Sequence, residues 1–390
     1  MNNGRLIKYM DIPLLIITVL FCLIGVLLVL DASSVAAVVR YGVSPYYFFL
    51  RQLLFVVLAF SIGFFLIIKV DINKYKSIVI FALIALVAVL VGLLFYGTIV
   101  NSAKSWFKIG SFSLQPSEFA KLILVLYMGV FFANYVKDDA NQNKIWIFLT
   151  VCGVIFLLVA AQPDLGTAII IAGIVFLTFL AVPIKKNNLV SILKIVAGAG
   201  IIIIAVFLTF SSSILTERQR SRFEFKEPCT RYTKDTGYQV CNGFIAIHNG
   251  GLFGMGLGKS TQKYLYLPEA HTDFIFTILV EELGVIAGLF VLVGYAYIIL
   301  RIIKISKQCY NLRNSIICYG IAMIFLMHIL INFMGVLALM PLTGVPLPLL
   351  SYGGSFTLTS IVSLFIVQRI AIENNLTKKK LELSKITGKN

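Results

Sequence analysis

Long apolar runs separated by short polar segments dominate the chain. A membrane-spanning helix needs roughly 20 mostly apolar residues. By that rule the pattern predicts about ten spans, at residues 10–30, 50–70, 77–99, 117–136, 145–161, 166–184, 190–210, 272–300, 314–340 and 351–372. The break at residues 162–166 is predicted to be a tight turn, because it contains Pro, Asp and Gly. The pattern therefore predicts an all-α polytopic membrane protein in which residues 1–390 form one domain.

Basic residues give the expected topology. Arg5 and Lys8 precede the first span, and further clusters of Lys and Arg follow every second span as far as the basic tail at residues 373–390. Because cytoplasmic connections carry an excess of Lys and Arg, both termini are expected in the cytoplasm. The large extracytoplasmic loop is then residues 211–271, between the seventh and eighth spans. This loop is itself basic, but long loops cross the membrane largely regardless of their charge.

Composition narrows the class of protein. Of 390 residues, 59% are hydrophobic and only 13% are charged, which excludes an ordinary soluble domain. The net charge of +16 lies in short clusters between apolar runs and not on one helix face, so it favours membrane topology and anionic lipid over nucleic acid. The sequence has no nucleotide-binding glycine motif and no Cys pair with zinc-ligand spacing.

Two of the six cysteines, Cys229 and Cys241, fall in the predicted outer loop. Disulfides persist outside the reducing cytosol. We therefore expect these two residues to pair if the local geometry allows it, which would stabilise the loop by roughly 3 kcal/mol.

The first candidate for chemistry is Asp273, where the long outer loop becomes a membrane span. One interpretation is structural, since Asp is favoured at helix N-termini. The other is functional, because Glu269 and His271 crowd the same short segment and clusters of titratable groups mark active sites. Two further acids, Glu281 and Glu282, lie inside the following apolar run, where they are expected to line a cavity or to pair with a base on another helix.

A second group of candidates precedes the fourth span. Glu118 and Lys121 are three residues apart and can pair on one helix face, in either a structural or a functional role. Trp106 and Lys104 fit an interfacial aromatic belt with snorkelling lysines. They also fit a surface on which a sugar stacks beside a phosphate-seeking lysine.

The outer loop offers two weaker candidates for anion binding. The glycine-rich run at residues 249–260 is able to cradle phosphate through backbone N–H groups, although such glycines also serve ordinary turns. Arg222, which precedes this run with other arginines, is a candidate for neutralising an anionic leaving group, or is a solvated loop charge.

Several motifs occur together in one order along the chain. They are Ser105-Trp106, Leu114-Gln115-Pro116-Ser117-Glu118, Gln162-Pro163-Asp164-Leu165-Gly166-Thr167, Gly237-Tyr238-Gln239, Gly250-Gly251-Leu252-Phe253-Gly254, Leu267-Pro268-Glu269-Ala270-His271-Thr272-Asp273-Phe274-Ile275-Phe276, and a last segment from Pro341 through Ser351-Tyr352-Gly353-Gly354-Ser355. In these motifs the chain resembles the SEDS family of bacterial cell-wall proteins, to which FtsW and RodA belong. The resemblance runs from the first span to the last.

The resemblance implies a ten-helix peptidoglycan glycosyltransferase of the bacterial cell membrane that polymerises lipid II. It implies that Asp273 is the catalytic residue, that Trp106 is required, and that Glu118 and Lys121 form the family's pair linking the cavity to activation. The candidate residues with supporting roles include Ser351, which belongs to the last motif. The implied partners are a class B penicillin-binding protein with transpeptidase activity and other membrane proteins of the division or elongation machinery.

The sequence leaves the role of Asp273 open between a general base and the ligand of a divalent cation such as Mg²⁺ or Mn²⁺. No organic cofactor is expected. The motifs around residues 268–276 and 341–348 look more like the division-type branch than the elongation-type branch, which favours a role at the septum.

Two hypotheses from other functional classes, a lipid flippase and a scaffold, compete with the hypothesis of an enzyme. A lipid flippase would also have many spans and intramembrane acids, but its polar groups would be expected near the bilayer midplane and not at the outer surface. A scaffold that only recruits an enzyme gives no reason for Asp273 and His271 to lie together at the membrane surface.

Overall fold

The structure is a computed structural model, and it describes residues 6–69, 75–100, 103–110, 112–136, 144–184, 225–233 and 235–387. Within these ranges it contains ten α-helices and three short strands. The helices are α1 (Ile12–Val39), α2 (Tyr47–Lys69), α3 (Tyr75–Tyr96), α4 (Pro116–Tyr135), α5 (Ile145–Ala160), α6 (Leu165–Leu180), α7 (Asp235–Gly250), α8 (Ile275–Lys307), α9 (Leu312–Val336) and α10 (Gly354–Thr387).

The apolar runs become helices almost where the sequence places them. Seven helices are long and apolar enough to cross a membrane, and α5 and α6 are shorter apolar helices. Each predicted span has a helical counterpart except 190–210, which lies outside the described residues. The fold is that of a multi-pass membrane protein. Helix α1 continues to Val39, past its expected end at residue 30, so Asp31 is helical and does not lie in a loop.

A small antiparallel sheet forms in the segment that was expected to be a plain loop between the third and fourth spans. Its strands are β1 (Thr98–Val100), β2 (Ala103–Ile109) and β3 (Phe112–Leu114), with β2 in the middle. β2 pairs with β3 through Phe107 and Leu114, and with β1 through Trp106 and Thr98. The sheet therefore gives Trp106 a fixed position.

Helix α9 lies at the centre of the bundle. It packs against α4, α6, α8 and α10. In an apolar stretch of 18 residues of α9, 72% of the residues are buried. In the corresponding stretches of α2 and α3 only 22% are buried, so their outer faces are left for lipid. Small residues allow the close approach of helices here: a Cβ on Gly129 would lie 2.4 Å from the side chain of Ile317. A helix surrounded by other helices can carry polar side chains inside the membrane, because they find partners there.

The segments expected outside the cell gather at one end of the bundle, which we call the outer end. The backbone N–H of Lys104 donates to the carbonyl of Gln162 at 3.1 Å, joining β2 to the turn before α6. The N–H of Tyr352 donates to the carbonyl of His271 at 2.9 Å, joining the segment before α10 to the segment before α8. The outer end is therefore built by several connections that lie far apart in the sequence.

Helix α8 is broken at Gly284, which has φ of 85°. The segment 251–256 lies against this break and supplies hydrogen-bond partners for it. The N–H groups of Met255 and Gly256 donate to the carbonyls of Glu281 and Glu282 at 3.0 and 2.9 Å. A Cβ on Gly284 would lie 2.2 Å from the carbonyl oxygen of Leu252, so only glycine fits. A break at membrane depth is tolerated because its backbone groups are satisfied.

A disulfide joins Cys229 to Cys241, as expected from the sequence. It ties the short 3₁₀ turn Pro228–Arg231 to α7. Helix α7 directly precedes the segment 251–256, which packs on the break in α8. The disulfide therefore lies shortly before that segment in the sequence.

Residues near the two ends of the described chain meet at the opposite end of the bundle. Arg301 and Asp11 form a salt bridge at 2.8 Å, and the side chain of Asn375 donates to the carbonyl of Tyr9 at 2.9 Å. The basic tail begins as a continuation of α10, which is helical to Thr387.

Candidate functional site

Asp273 lies at the outer end, in the turn that leads into α8, and its side chain is half-buried. The N-cap position of α8 is Phe274 and not Asp273, so the structural alternative of an N-cap aspartate is wrong. The segment 337–353, between α9 and α10, passes beside the carboxylate. A Cβ on Gly344 would lie 3.2 Å from Oδ2 of Asp273. The carboxylate of Asp273 therefore lies against the segment between α9 and α10, at the outer end.

The backbone of Asp273 is fixed from inside the bundle by Asn332. Its Nδ2 donates to the carbonyl of Asp273 at 2.8 Å and to the carbonyl of Val345 at 2.7 Å. Asn332 is 3% exposed, so these bonds form away from water. One amide group thus joins the turn before α8 to the segment that carries Gly344.

His271 packs into a cluster of aromatic rings. Its ring centre lies 4.7 Å from that of Phe48 and 5.6 Å from that of Tyr352, and the side chain is 5% exposed. Burial lowers the pKa of His271; Glu269 opposes this effect and Arg40 adds to it. His271 is therefore a neutral ring that positions the turn.

Glu269 binds within its own segment, whereas Ser351 binds both its own segment and α2. The carboxylate of Glu269 accepts from the hydroxyl of Thr272 at 3.0 Å. The hydroxyl of Ser351 accepts from the N–H of Leu347 at 2.9 Å, and its carbonyl accepts from Gln52 at 3.1 Å. Ser351 is fully buried. These contacts support the shape of the outer end.

Trp106 and Lys104 lie on the same strand, β2. Trp106 is half-buried. The Nζ of Lys104 donates to the carbonyls of Leu94 and Phe95 at 2.7 and 3.0 Å, at the end of α3. Lysine at a helix C-terminus complements the helix dipole. This contact favours a structural role for Lys104 over that of a phosphate ligand.

Asp164 brings a second carboxylate to the outer end. Its Oδ1 caps α6 by accepting from the N–H of Thr167 at 3.2 Å, and its Oδ2 accepts from the side chain of Gln115 at 3.0 Å. The N–H of Gln115 donates to the hydroxyl of Ser355 at 3.0 Å. Three of the motifs singled out in the sequence therefore meet at one place.

Glu118 and Lys121 form the predicted pair inside the bundle. Nζ of Lys121 lies 2.7 Å from Oε1 of Glu118, and the two side chains are 2% and 5% exposed. The same Nζ lies 2.7 Å from Nε2 of His328 on α9. No pattern in the sequence links His328 to this pair.

A second buried ionic group lies between α1 and α8. Nζ of Lys263 lies 2.7 Å from Oδ1 of Asp31 and 2.7 Å from Oε1 of Glu282. The partner expected for Glu282 was a base on another helix. The base is instead Lys263, in the segment that precedes α8. Burial lowers the pKa of Lys263, but the hydrogen bonds and charges of its two partners outweigh burial and raise it overall.

The glycine-rich run does not present a free set of N–H groups to phosphate. Besides Met255 and Gly256, the N–H groups of Gly258 and Ser260 are engaged, with the carboxylate of Glu282 at 3.0 and 3.1 Å. The interpretation of these groups as a phosphate cradle is therefore wrong. Arg222 lies outside the described residues.

The sequence matches the FtsW/RodA/SpoVE family, described as cell cycle proteins, over residues 12–376. The chain belongs to this family. Among its relatives, the probable peptidoglycan glycosyltransferase FtsW of Bacillus subtilis is 36% identical over 390 residues, covering 97% of this chain and 95% of that protein. The stage V sporulation protein E of Bacillus subtilis is 34% identical over 355 residues, covering 88% and 92%.

Solved structures share the fold of this FtsW/RodA/SpoVE protein. A chain of a peptidoglycan synthase complex superposes with a TM-score of 0.73 at 22% identity, covering 94% of this chain and 98% of that one. The rod shape determining protein RodA of Thermus thermophilus gives a TM-score of 0.64 at 22% identity, covering 94% and 97%.

Sequence reasoning assigned no individual role to Asp164, His328 or Asn332 of this family member. Asp164 had a signal, since an acid directly before an apolar run is a typical N-cap. His328 and Asn332 had none, because a single polar residue in an apolar helix does not reveal its partner. Lys121 lies 207 residues from His328, and Asp273 lies 59 residues from Asn332.

Proposed function

We propose that this chain is a peptidoglycan glycosyltransferase of FtsW type, which polymerises lipid II into glycan strands. Membership of the family and the 36% identity to a relative named as such an enzyme support the proposal. The observation that carries it in the structure is the position of Asp273: a half-buried carboxylate at the outer end, with its backbone held by Asn332.

The reaction needs one base at this position. The 4-hydroxyl of the incoming lipid-linked disaccharide attacks the anomeric carbon of the growing glycan and forms the new C–O bond. The bond to the undecaprenyl pyrophosphate breaks, and the pyrophosphate leaves with the electron pair. Asp273 takes the proton that the hydroxyl loses. A rigid turn keeps the carboxylate within reach, which matters because small displacements of a catalytic group are costly.

A divalent cation at Asp273 is part of the proposal as an alternative role for this carboxylate. In the part of the chain that the structure describes, no group of three or more His, Cys, Asp or Glu side chains could hold a metal ion. Mg²⁺ is commonly bound through one or two carboxylates with water and substrate phosphates. Asp273 would be the protein ligand of such an ion, which would neutralise charge on the pyrophosphate. Activity after chelation, with and without added Mg²⁺ or Mn²⁺, decides between the two roles.

Within the cell we place this enzyme in the cell membrane at the division septum, with both termini in the cytoplasm. The FtsW names among its relatives support the division role over elongation. Its partner would be a class B penicillin-binding protein that crosslinks the new strands. A fluorescent fusion at the side wall, and not at the septum, would favour the elongation role. Affinity capture of the native complex identifies the transpeptidase.

The test is polymerisation of purified lipid II. The full chain, supplied with its captured partner, is expected to make glycan strands, and Asp273→Asn is expected to make none. Glu382→Gln is the matched control, since it removes the same charge from an exposed position at the opposite end. Full polymerisation by Asp273→Asn would overturn the catalytic assignment.

A further inference from the structure

One face of α9 carries two buried polar side chains that are one helical turn apart. His328 and Asn332 are 1% and 3% exposed, and α9 is apolar around them. Residues spaced by four positions lie above one another on the same helix face. A polar group buried in a membrane bundle is expensive unless it is hydrogen-bonded, so the partners of these two side chains need to be identified.

The lower of the two, His328, binds the intramembrane ion pair. Nζ of Lys121 lies 2.7 Å from both Oε1 of Glu118 and Nε2 of His328. Because a lysine ammonium has only hydrogen-bond donors, Nε2 of His328 is the acceptor in this contact. The ring lies against Phe356, with ring centres 4.6 Å apart, which fixes its orientation.

The upper of the two, Asn332, binds the turn of the catalytic candidate. Its Nδ2 bridges the carbonyls of Asp273 and Val345. Val345 follows Gly344, whose position leaves only enough room for the carboxylate of Asp273. A displacement of α9 by a fraction of an ångström would therefore move both segments that border this carboxylate.

The ion pair lies beside a cavity. A small pocket beside it, lined by Lys121, His328, Ser360 and Ser363 among others, has a volume of about 10 Å³. This is close to the space that one water molecule needs, roughly 10–15 Å³. Close-packed protein interiors have low compressibility, so a displacement of one side chain is transmitted to its neighbours.

We propose that His328 and Asn332 are positioning residues that couple the buried Glu118–Lys121 pair to the turn of Asp273 through one face of α9. The acceptor nitrogen of His328 sets the position of α9 relative to Lys121, and Asn332 passes that position to the turn. The proposal rests on the proposed function for its effect on catalysis. The coupling itself is structural, and is measurable without any substrate.

The first experiment measures the coupling without substrate. Hydrogen–deuterium exchange of the full chain is followed in peptides covering residues 264–276. His328→Leu and Lys121→Met are expected to speed exchange there. His328→Gln is expected to match the wild type, because its side-chain oxygen can accept from Lys121. The matched control is Thr178→Val, a buried polar residue on α6 outside this face. Unchanged exchange in both His328→Leu and Lys121→Met, or equal acceleration by His328→Gln, would overturn the proposal.

The second experiment uses lipid II polymerisation. A misplaced catalytic group reduces turnover, so His328→Leu is expected to lower kcat by about 10- to 100-fold with KM for lipid II nearly unchanged. His328→Gln should restore kcat to within about threefold of the wild type, whereas a residue that only fills space would not distinguish Gln from Leu in this way. The double variant with Lys121→Met should be no slower than the slower single variant, since residues in one network are not additive. Multiplied effects would contradict the coupling.

The two experiments separate the possible failures. If the variants alter exchange but the wild-type protein does not polymerise lipid II, the proposed function is refuted and the coupling stands. If polymerisation requires Asp273 but His328→Leu does not affect it, the coupling is refuted and the proposed function stands. If His328→Leu does not fold, Lys121→Met tests the same coupling from its other end.

Discussion

Gly344 leaves the space that the carboxylate of Asp273 occupies. A Cβ at residue 344 would lie 3.2 Å from Oδ2 and 4.0 Å from Cγ of Asp273. Gly344 also has φ of 71°, a left-handed conformation that residues with a Cβ adopt only with strain. The segment between α9 and α10 is thus shaped to the side chain before α8, and the two form one wall of the candidate site.

Gly344→Ala should therefore reduce activity more than it reduces stability. The added methyl group must push the carboxylate by a few tenths of an ångström, and we expect kcat to fall by about tenfold or more. Gly42→Ala is the matched control, because Gly42 has φ of 63° and no atom within 4 Å of the added Cβ. Both variants carry similar backbone strain, so equal turnover of the two would contradict the contact with Asp273. Polymerisation rates and thermal unfolding of the purified proteins provide the comparison.

Lys263→Met should destabilise the protein strongly. Lys263 is 5% exposed and has carboxylate partners from α1 and α8, Asp31 and Glu282. Removing the base leaves two acids without their counter-ion, and breaking a buried ion pair in this way costs about 3–5 kcal/mol. Lys259→Met is the control, since Lys259 is exposed in the same segment. Thermal unfolding in detergent measures both, and similar midpoints for the two variants would mean that Lys263 is not needed to join α1 to α8.

Loss of the Cys229–Cys241 disulfide should loosen the outer segment. The two residues are 12 positions apart, and a disulfide closing a loop of this size contributes about 3 kcal/mol. We expect Cys229→Ser with Cys241→Ser to speed proteolysis within residues 225–250 while the spans stay intact. Cys309→Ser is the control, because Cys309 is a free thiol at the opposite end. Alkylation before and after reduction checks the bond directly: both thiols should react only after reduction.

The spanning helices were predictable because the membrane requires about 20 mostly apolar residues of each span, whereas α7, inside the predicted outer loop, was not predicted. The runs that begin near residues 117 and 145 start as helices at Pro116 and Ile145, within one residue of expectation. The sheet at residues 98–114 was not predictable in the same way. Its strands are as short as three residues, and they have no regular alternation of apolar and polar positions.

The candidate site was only partly predictable. Asp273 was predicted as a candidate because it stands with other titratable residues at the start of a span. Its supports were not found, because Asn332 and Gly344 reach it through the packing of α9 and the connection after it. Contacts between segments that lie far apart in the chain depend on tertiary structure, which local patterns do not record.

His271 supplies the clearest case for a pH test. It lies among Phe48, Tyr352 and other rings, and burial lowers its pKa below the ordinary value of about 6.5. Between the lowered pKa and about 6.5, the unfolded chain binds a proton that the folded protein does not. Folding is therefore opposed as the pH falls through this window, and the stabilising contribution of the neutral ring is fully present only above about pH 6.5.

We expect the thermal midpoint of the wild-type protein to fall as the pH is lowered below about 6.5. His271→Phe keeps an aromatic ring against Phe48 without a titrating group, so it should remove the part of this fall that is due to His271. His248→Phe is the control, because His248 is exposed on α7 and lies outside the aromatic cluster. Midpoints measured from pH 5 to pH 8 in one buffer series provide the test. Parallel curves for the wild type and His271→Phe would show that the ring at residue 271 carries no proton-linked stability, and that its packing against Phe48 does not depend on its charge.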